Sequence, residues 1–278
     1  MHLWWLTLGA LAVVNAAMWG LSARAYARRR RMLPGLATRW PHLVLSAGYV
    51  LGCGFRGLLP RADVQRIVLV DSWLSSVFVG RSVATVAELC FAAQWALLLR
   101  ELSHERRNAL GLGVARMVLP MIAVAEVCSW YAVLSTSYLG NTLEQSIWTA
   151  TVGLIALALL GLWWESRAGM RVFLGAAIAV SAGFVAFMCT VDVPMYLTRF
   201  LADEAAGRTY FTLAEGLHDV STRWVVTHAL SDWHEEMAWM ALYFSVAVWV
   251  SIGLVHAPRA EYVVARAAPA EVAQRATA

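Results

Sequence analysis

The chain has 278 residues, 60% of them hydrophobic and only 14% charged, with a mean hydropathy of +0.61. A water-soluble domain carries about a quarter charged residues and roughly half apolar ones, so this composition excludes an ordinary soluble enzyme, a disordered chain and a nucleic-acid binder. The formal charge of +4 is no general basic surface, because the charges are segregated along the chain.

Seven stretches supply the roughly 20 mostly apolar residues a membrane helix needs: 3–22, 42–60, 73–99, 114–138, 146–164, 172–191 and 237–256. They predict an all-α, polytopic membrane protein, a single bundle of seven transmembrane helices over residues 1–256. The first stretch lacks a basic segment before it and is followed by Arg28 to Arg31. A cleaved signal peptide has the opposite polarity, so this reads as an uncleaved span with its N-terminus outside. Gly48-x-x-x-Gly52 in span two and Ala179-x-x-x-Gly183 in span six predict close helix contacts. Asp71, Asn141 with Glu144, and Asp232 with Glu235 have cap positions before spans three, five and seven. Tryptophans near span ends, Trp40, Trp73 and Trp164 among them, match an interfacial belt.

Residues 192–236 form the one long polar segment, predicted as a short helical outer cover between helices six and seven. Pro194 suits a first helical turn, Gly207 ends that helix, and Thr212 with Glu215 forms a capping box. Behind it Leu213, Leu217, Val220 and Trp224 share one face of an amphipathic helix. The tail 257–278, small and polar, is predicted to be disordered and cytoplasmic. Loops on the predicted inner side hold fifteen arginines against five carboxylates; the outer segments hold five against eleven. Positive charge is retained inside, so the C-terminus is expected in the cytoplasm. All 22 basic residues are arginine, and this bias, with abundant alanine, points to a GC-rich bacterium and its inner membrane.

Charges within the spans carry the chemical interest. Arg81, Thr85 and Glu88 share one face of span three; Glu126 lies in span four and Arg56 in span two. Val86-Ala-Glu-Leu-Cys90 is echoed by Val124-Ala-Glu-Val-Cys128. Ionisable groups at this depth are costly and face the bundle interior with partners. Arg81 and Glu88 are separated by about 10.5 Å along the helix axis, so the expected partner of Arg81 is on another segment: Asp71, Glu126 or Asp192. The group can act as a structural lock, as a proton or ion path, or as a catalytic carboxylate pair.

His218, His228 and His234 accompany Asp192, Asp219 and Glu236 in the polar segment, types that can ligate zinc or iron. Their spacing matches no metal motif, and interfacial polar residues are the simpler account. His42 and His256 occupy interfacial ends, where a haem is not expected. Cys53, Cys90, Cys128 and Cys189 lie in apolar runs, so no disulfide framework is expected. A retinal protein needs a lysine in its last span, and the chain has none. Zinc hydrolases of the ceramidase type need histidines there, and Ala238 to Leu254 has none.

The residues therefore nominate Glu88, Glu126, Arg81, Asp192, His218 and Asp219 for an outer-facing polar pocket, with no cofactor indicated. Three functions follow: an enzyme on a lipid-phase or lipid-linked substrate, a proton- or ion-coupled transporter using the glutamates, and a non-catalytic subunit or assembly factor. The expected partners are the lipid bilayer and a membrane protein or second copy of the chain.

Overall fold

The computed structural model describes residues 1–32 and 39–258; the predicted tail lies outside the described residues from 259 onward. The described residues are mostly helical, with three two-residue strands. Helices α1 (His2–Met32), α2 (Trp40–Leu58), α3 (Val77–Glu105), α4 (Ala109–Ser135), α5 (Tyr138–Trp164) and α6 (Ala168–Phe187) follow in order. A π-helical segment, Met188–Asp192, carries α6 into α7 (Val193–Ala205). After α8 (Leu213–Thr222), α9 (Leu230–Leu242) runs through a second π segment, Tyr243–Ala247, into α10 (Val248–Leu254). β1 (Arg61–Ala62) pairs antiparallel with β2 (Ile67–Val68), which pairs parallel with β3 (Val225–Val226).

Among the described residues, six helices are long and apolar enough to cross a membrane: His2–Arg31, Val77–Glu105, Ala109–Ser135, Tyr138–Trp164, Ala168–Ala205 and Leu230–Leu254. The predicted count of seven is thus reduced to six by this measure. The second predicted span is α2, nineteen residues whose His42, Arg56 and four glycines dilute its apolarity. It still packs between α1 and α3. Gly48 and Gly52 bring it against Cys90 and Ala87 of α3, leaving no room for a Cβ, as their spacing predicted. Gly183 makes no such contact: nothing lies within 4 Å of where its Cβ would stand.

Consecutive helices α1 to α6 pack as neighbours, and α10 returns to α1, α2 and α3. Two apolar clusters result. One joins α3, α4, α5, α6 and α10 around Leu98, Ile122 and Leu159; the other joins α1, α2, α3 and α9–α10 around Leu8, Tyr49 and Trp233. Polar side chains stitch α10 to its neighbours: Gln94 donates to the carbonyls of His42 and Ser251, and Ser251 donates to Ser46 at 3.1 Å. Asn15 of α1 donates to the carbonyl of Phe244 within the second π segment, at 2.7 Å.

Helix starts differ from the predicted caps. Ser76, not Asp71, caps α3, and Asp71 instead accepts a hydrogen bond from Trp224. Ser137, not Asn141, caps α5, because Thr136 in the left-handed region (φ 63°) turns the chain tightly out of α4. Glu144 consequently lies nearly two turns inside the helix. α9 starts at Leu230 without a side-chain cap; Asp232 accepts from Thr227, and Glu235 pairs with Arg199. The Thr212–Glu215 capping box is present as predicted. The predicted end of span six at 191 is also corrected: the helix continues to Ala205, since Val193, Leu197 and Leu201 prolong its apolar face. Gly207, at φ 66°, then turns the chain away.

Candidate functional site

A cavity of about 450 Å³ lies between α3, α5, α6–α7 and α9–α10. Its lining is graded along each of these four. Arg81 precedes Trp95 on α3, Glu144 precedes Ile155 on α5, and Glu236 precedes Val250 on α9–α10; on α6–α7, which runs the other way, Val180 precedes Asp192. All the charged groups therefore gather at the end that bears the strands, and the opposite part is apolar. Because α6 packs chiefly on α5 while α10 packs on α1, α2 and α3, the cavity occupies the space between them. Val180, Leu242 and Val246 line it while 45%, 51% and 45% exposed, so it opens sideways. A larger hollow at the opposite end, between α1 and α2, has no carboxylate among the described residues that line it.

Arg81 is the hub of the charged end. Its Nη2 donates to Glu88 Oε1 at 3.0 Å and to Glu126 Oε2 at 2.8 Å, and its Nη1 lies 3.6 Å from Glu144 Oε1. Thr85 donates to Glu126 Oε2 at 2.6 Å and accepts from Trp130 at 3.1 Å. The pairing with Glu126 is one of those expected. The pair with Glu88 was not the expected one: residues seven apart share a face, and two long side chains close the axial gap between their backbones. Asp71 and Asp192 are not partners of Arg81. The three glutamates each present an oxygen within 4.8 Å of the others, so this donor set is able to hold a metal ion. Glu88 and Glu144 line the cavity, whereas Glu126 stands behind Arg81 and outside the lining.

Two further arginines border the same end. Arg56 Nη2 lies 3.7 Å from Asp63 and its guanidinium sits over the Trp239 ring, 5.7 Å from the centroid. Arg61 is packed against Gly80, where any Cβ would overlap its guanidinium, and its Nη1 donates to the Ser76 carbonyl at 2.7 Å. Burial draws the Arg61 pKa down to about 10, opposed by Asp63 and reinforced by Arg56 and Arg81.

Asp192 lines the cavity in the first π segment, and Glu236 lines it from α9. Glu236 accepts from Gln65 at 3.2 Å and from Trp239 at 2.6 Å. Of the six nominated residues, the structure therefore brings Arg81, Glu88, Glu126 and Asp192 to one place. His218 and Asp219 lie elsewhere, on α8. His218 is exposed. Asp219 accepts from Arg66 at 2.7 Å and from Arg223, while Arg66 also donates to the Asp63 and Val133 carbonyls, both at 2.5 Å. Against burial, which raises it, the hydrogen bonds from Arg223 and Arg66 hold the Asp219 carboxyl below the usual carboxylate range. Asp219 thus clamps α8 over the α4 end. His228 stacks on His2 at 5.8 Å, and His234 lies 2.7 Å from the Ser231 carbonyl; none of the three histidines lines the cavity.

Sequence reasoning placed Glu236 only among possible metal ligands of the polar segment, and it missed Glu144, Asp63 and Arg61 as members of this site. Each had a sufficient surface role as a loop or cap residue, and only the tight α4–α5 turn and the inward fold of the strand loop reverse that. No protein-family model, curated protein or solved structure matches the chain.

Proposed function

We propose that this chain is a multi-pass protein of the bacterial inner membrane that draws an amphiphilic, lipid-phase molecule into its cavity and acts on it as an enzyme. The observation that carries the reading is the grading of one sideways-opening cavity from charged to apolar. An amphiphile in a bilayer has the same grading, and the side opening admits it without passage through water. In this reading α2 is the seventh crossing, the N-terminus and the strand end face outward, and the C-terminus is cytoplasmic. The fifteen-to-five division of arginines supports that orientation.

Glu88 and Glu144 are the acid–base pair, since both reach the cavity and lie against one cation. Proton transfer by positioned carboxylates typically contributes 10²–10⁴-fold to rate. Arg81 orients them, and Glu126 with Thr85 positions Arg81. A transporter is the second reading, favoured by one observation: three buried carboxylates share a single arginine, which leaves an excess negative charge that protons or a cation must neutralise. The subunit reading draws on the exposed Leu213 and Leu217 of α8, which a partner protein or the membrane surface would cover.

The test is mass spectrometry of the purified chain after incubation with lipid extract. Wild type should retain one amphiphile per chain and convert it. Ile155→Trp, which fills the apolar part, should retain none; Glu144→Gln should retain it unconverted. Equal retention by wild type and Ile155→Trp contradicts the cavity reading. Retention without conversion by any form contradicts the enzyme reading.

A further inference from the structure

Asp192 differs from every other carboxylate of the cavity. It is 7% exposed, yet among the described residues it receives no hydrogen bond and has no arginine within ion-pair distance. Of the other acids, Glu88, Glu126 and Glu144 are met by Arg81, and Asp63 by Arg56 and Arg61. The charged groups that Asp192 senses are Glu236, which repels it, and Arg199, which is itself paired with Glu235. Glu236 accepts only neutral donors, Gln65 and Trp239. Asp192 and Glu236, two acids that repel each other at the wall of a cavity with room for a ligand, thus have no direct ion pair among the described residues; Arg199 and Arg56 act on them only from beyond ion-pair distance.

Burying such a pair is costly unless a counter-charge joins it. The surrounding wall favours an organic one. Tyr243 lines the same end beside Tyr196 and Trp239, whose rings already carry Arg199 and Arg56 at 5.7 Å; aromatic faces attract a cation within about 6 Å. The backbone here is also unusual: Asp192 closes one π-helical segment and Tyr243 opens the other, and both segments contribute to the lining. Single π turns recur at functional sites because the extra residue re-aims side chains.

We propose that Asp192 and Glu236 bind the ammonium group of a cationic or zwitterionic amphiphile whose hydrocarbon part lies against Phe184, Val246 and Val250. This rests on the reading that the cavity takes up an amphiphile, and it adds the charge of the head group. Among molecules of equal chain length, those bearing an ammonium group are preferred.

The experiment compares dodecylammonium with dodecanol, titrated into the full chain in neutral detergent micelles. Binding is followed by isothermal titration calorimetry, with intrinsic tryptophan fluorescence, to which the cavity-lining Trp95, Trp148 and Trp239 contribute, as a second readout. Wild type should bind dodecylammonium at least tenfold more tightly than dodecanol. Asp192→Asn and Glu236→Gln should each remove that preference and leave dodecanol binding unchanged. Asp192→Asn should also unfold at the wild-type temperature or above, because it relieves a repulsion and breaks no ion pair; a purely structural aspartate would give the reverse. Equal affinity of the two probes for wild type, or a preference that survives Asp192→Asn, overturns the proposal. Failure of both probes to bind a folded wild-type chain overturns the cavity reading beneath it as well.

Discussion

Replacing Arg81 by glutamine removes the one cation from three buried carboxylates. In the native cluster Arg81 lies 2.8, 3.0 and 3.6 Å from Glu126, Glu88 and Glu144. At an effective dielectric of 20, an opposite-charge pair about 3 Å apart gains about 5 kcal/mol. Carboxylate oxygens within 4.8 Å of one another repel by about 3 kcal/mol per pair on the same scale. Attraction outweighs repulsion only while the arginine is present. Much of the attraction is offset by the cost of desolvating the guanidinium, so the net loss is nearer the 3–5 kcal/mol found when one partner of a buried pair is removed. For a chain of this size that lowers the apparent unfolding midpoint by about 10 °C. The assay is thermal unfolding in detergent, scanned at one fixed rate because unfolding of such proteins is often irreversible. Arg81→Gln combined with Glu126→Gln should recover at least half of the loss, since it relieves the closest repulsion. An Arg81→Gln chain that unfolds at the wild-type temperature, or a double variant no better than the single, refutes the hub role of Arg81.

Glu144→Gln should abolish activity as fully as Glu88→Gln, because both line the cavity and face Arg81; an effect limited to the roughly 1 kcal/mol of a weakened cap would return Glu144 to the helix start. Gly216→Ala should undock α8, since a Cβ there overlaps the Leu134 carbonyl; faster proteolysis between residues 207 and 230 is the readout, with Gly113→Ala, which meets nothing within 4 Å, as the silent control. The Asp219 carboxyl is depressed in the folded state, so its contribution is present above the ordinary aspartate pKa of about 3.9 and fades as pH falls below it. Protection of the α8 amides, corrected for the pH dependence of intrinsic exchange, should therefore fall in acid, and Asp219→Asn should be poorly protected at every pH; acid-independent protection in wild type contradicts the clamp. A reporter active only outside the cytoplasm should work when inserted after Gly207 and fail after residue 258; the reverse result overturns the orientation.

How much of this was readable in the sequence depends on what each residue competes with. Periodicity exposed Arg81, Thr85 and Glu88 on one face, and intramembrane charge singled out Glu126, because nothing but function or pairing explains a carboxylate in an apolar run. Glu144 was hidden by its own plausibility: three residues after Asn141 it mimics a cap, and only the left-handed Thr136 shows that α5 starts earlier. Asp192 was found but misplaced, because polarity rises after residue 191 while the helix does not stop; π-helical turns have no propensity signature that marks them. Asp219 was nominated on charge alone, and its partners Arg66 and Arg223 become visible only when the strand loop brings residue 66 beside residue 219. Helix existence was therefore legible from local pattern, whereas site membership depended on long-range contacts that pattern does not encode.

The central claim, that a lipid-phase amphiphile occupies the cavity, is tested most directly by cross-linking. An amphiphile with a photoreactive group near the end of its hydrocarbon chain is dissolved in bilayers containing the full chain, irradiated, and the labelled residues are mapped. The account predicts label on residues 148–155, 180–187 and 243–250, lost in Ile155→Trp. Label confined to lipid-facing side chains such as Leu3, Val127 and Val172, 79%, 68% and 75% exposed, and unchanged by that substitution, would contradict it.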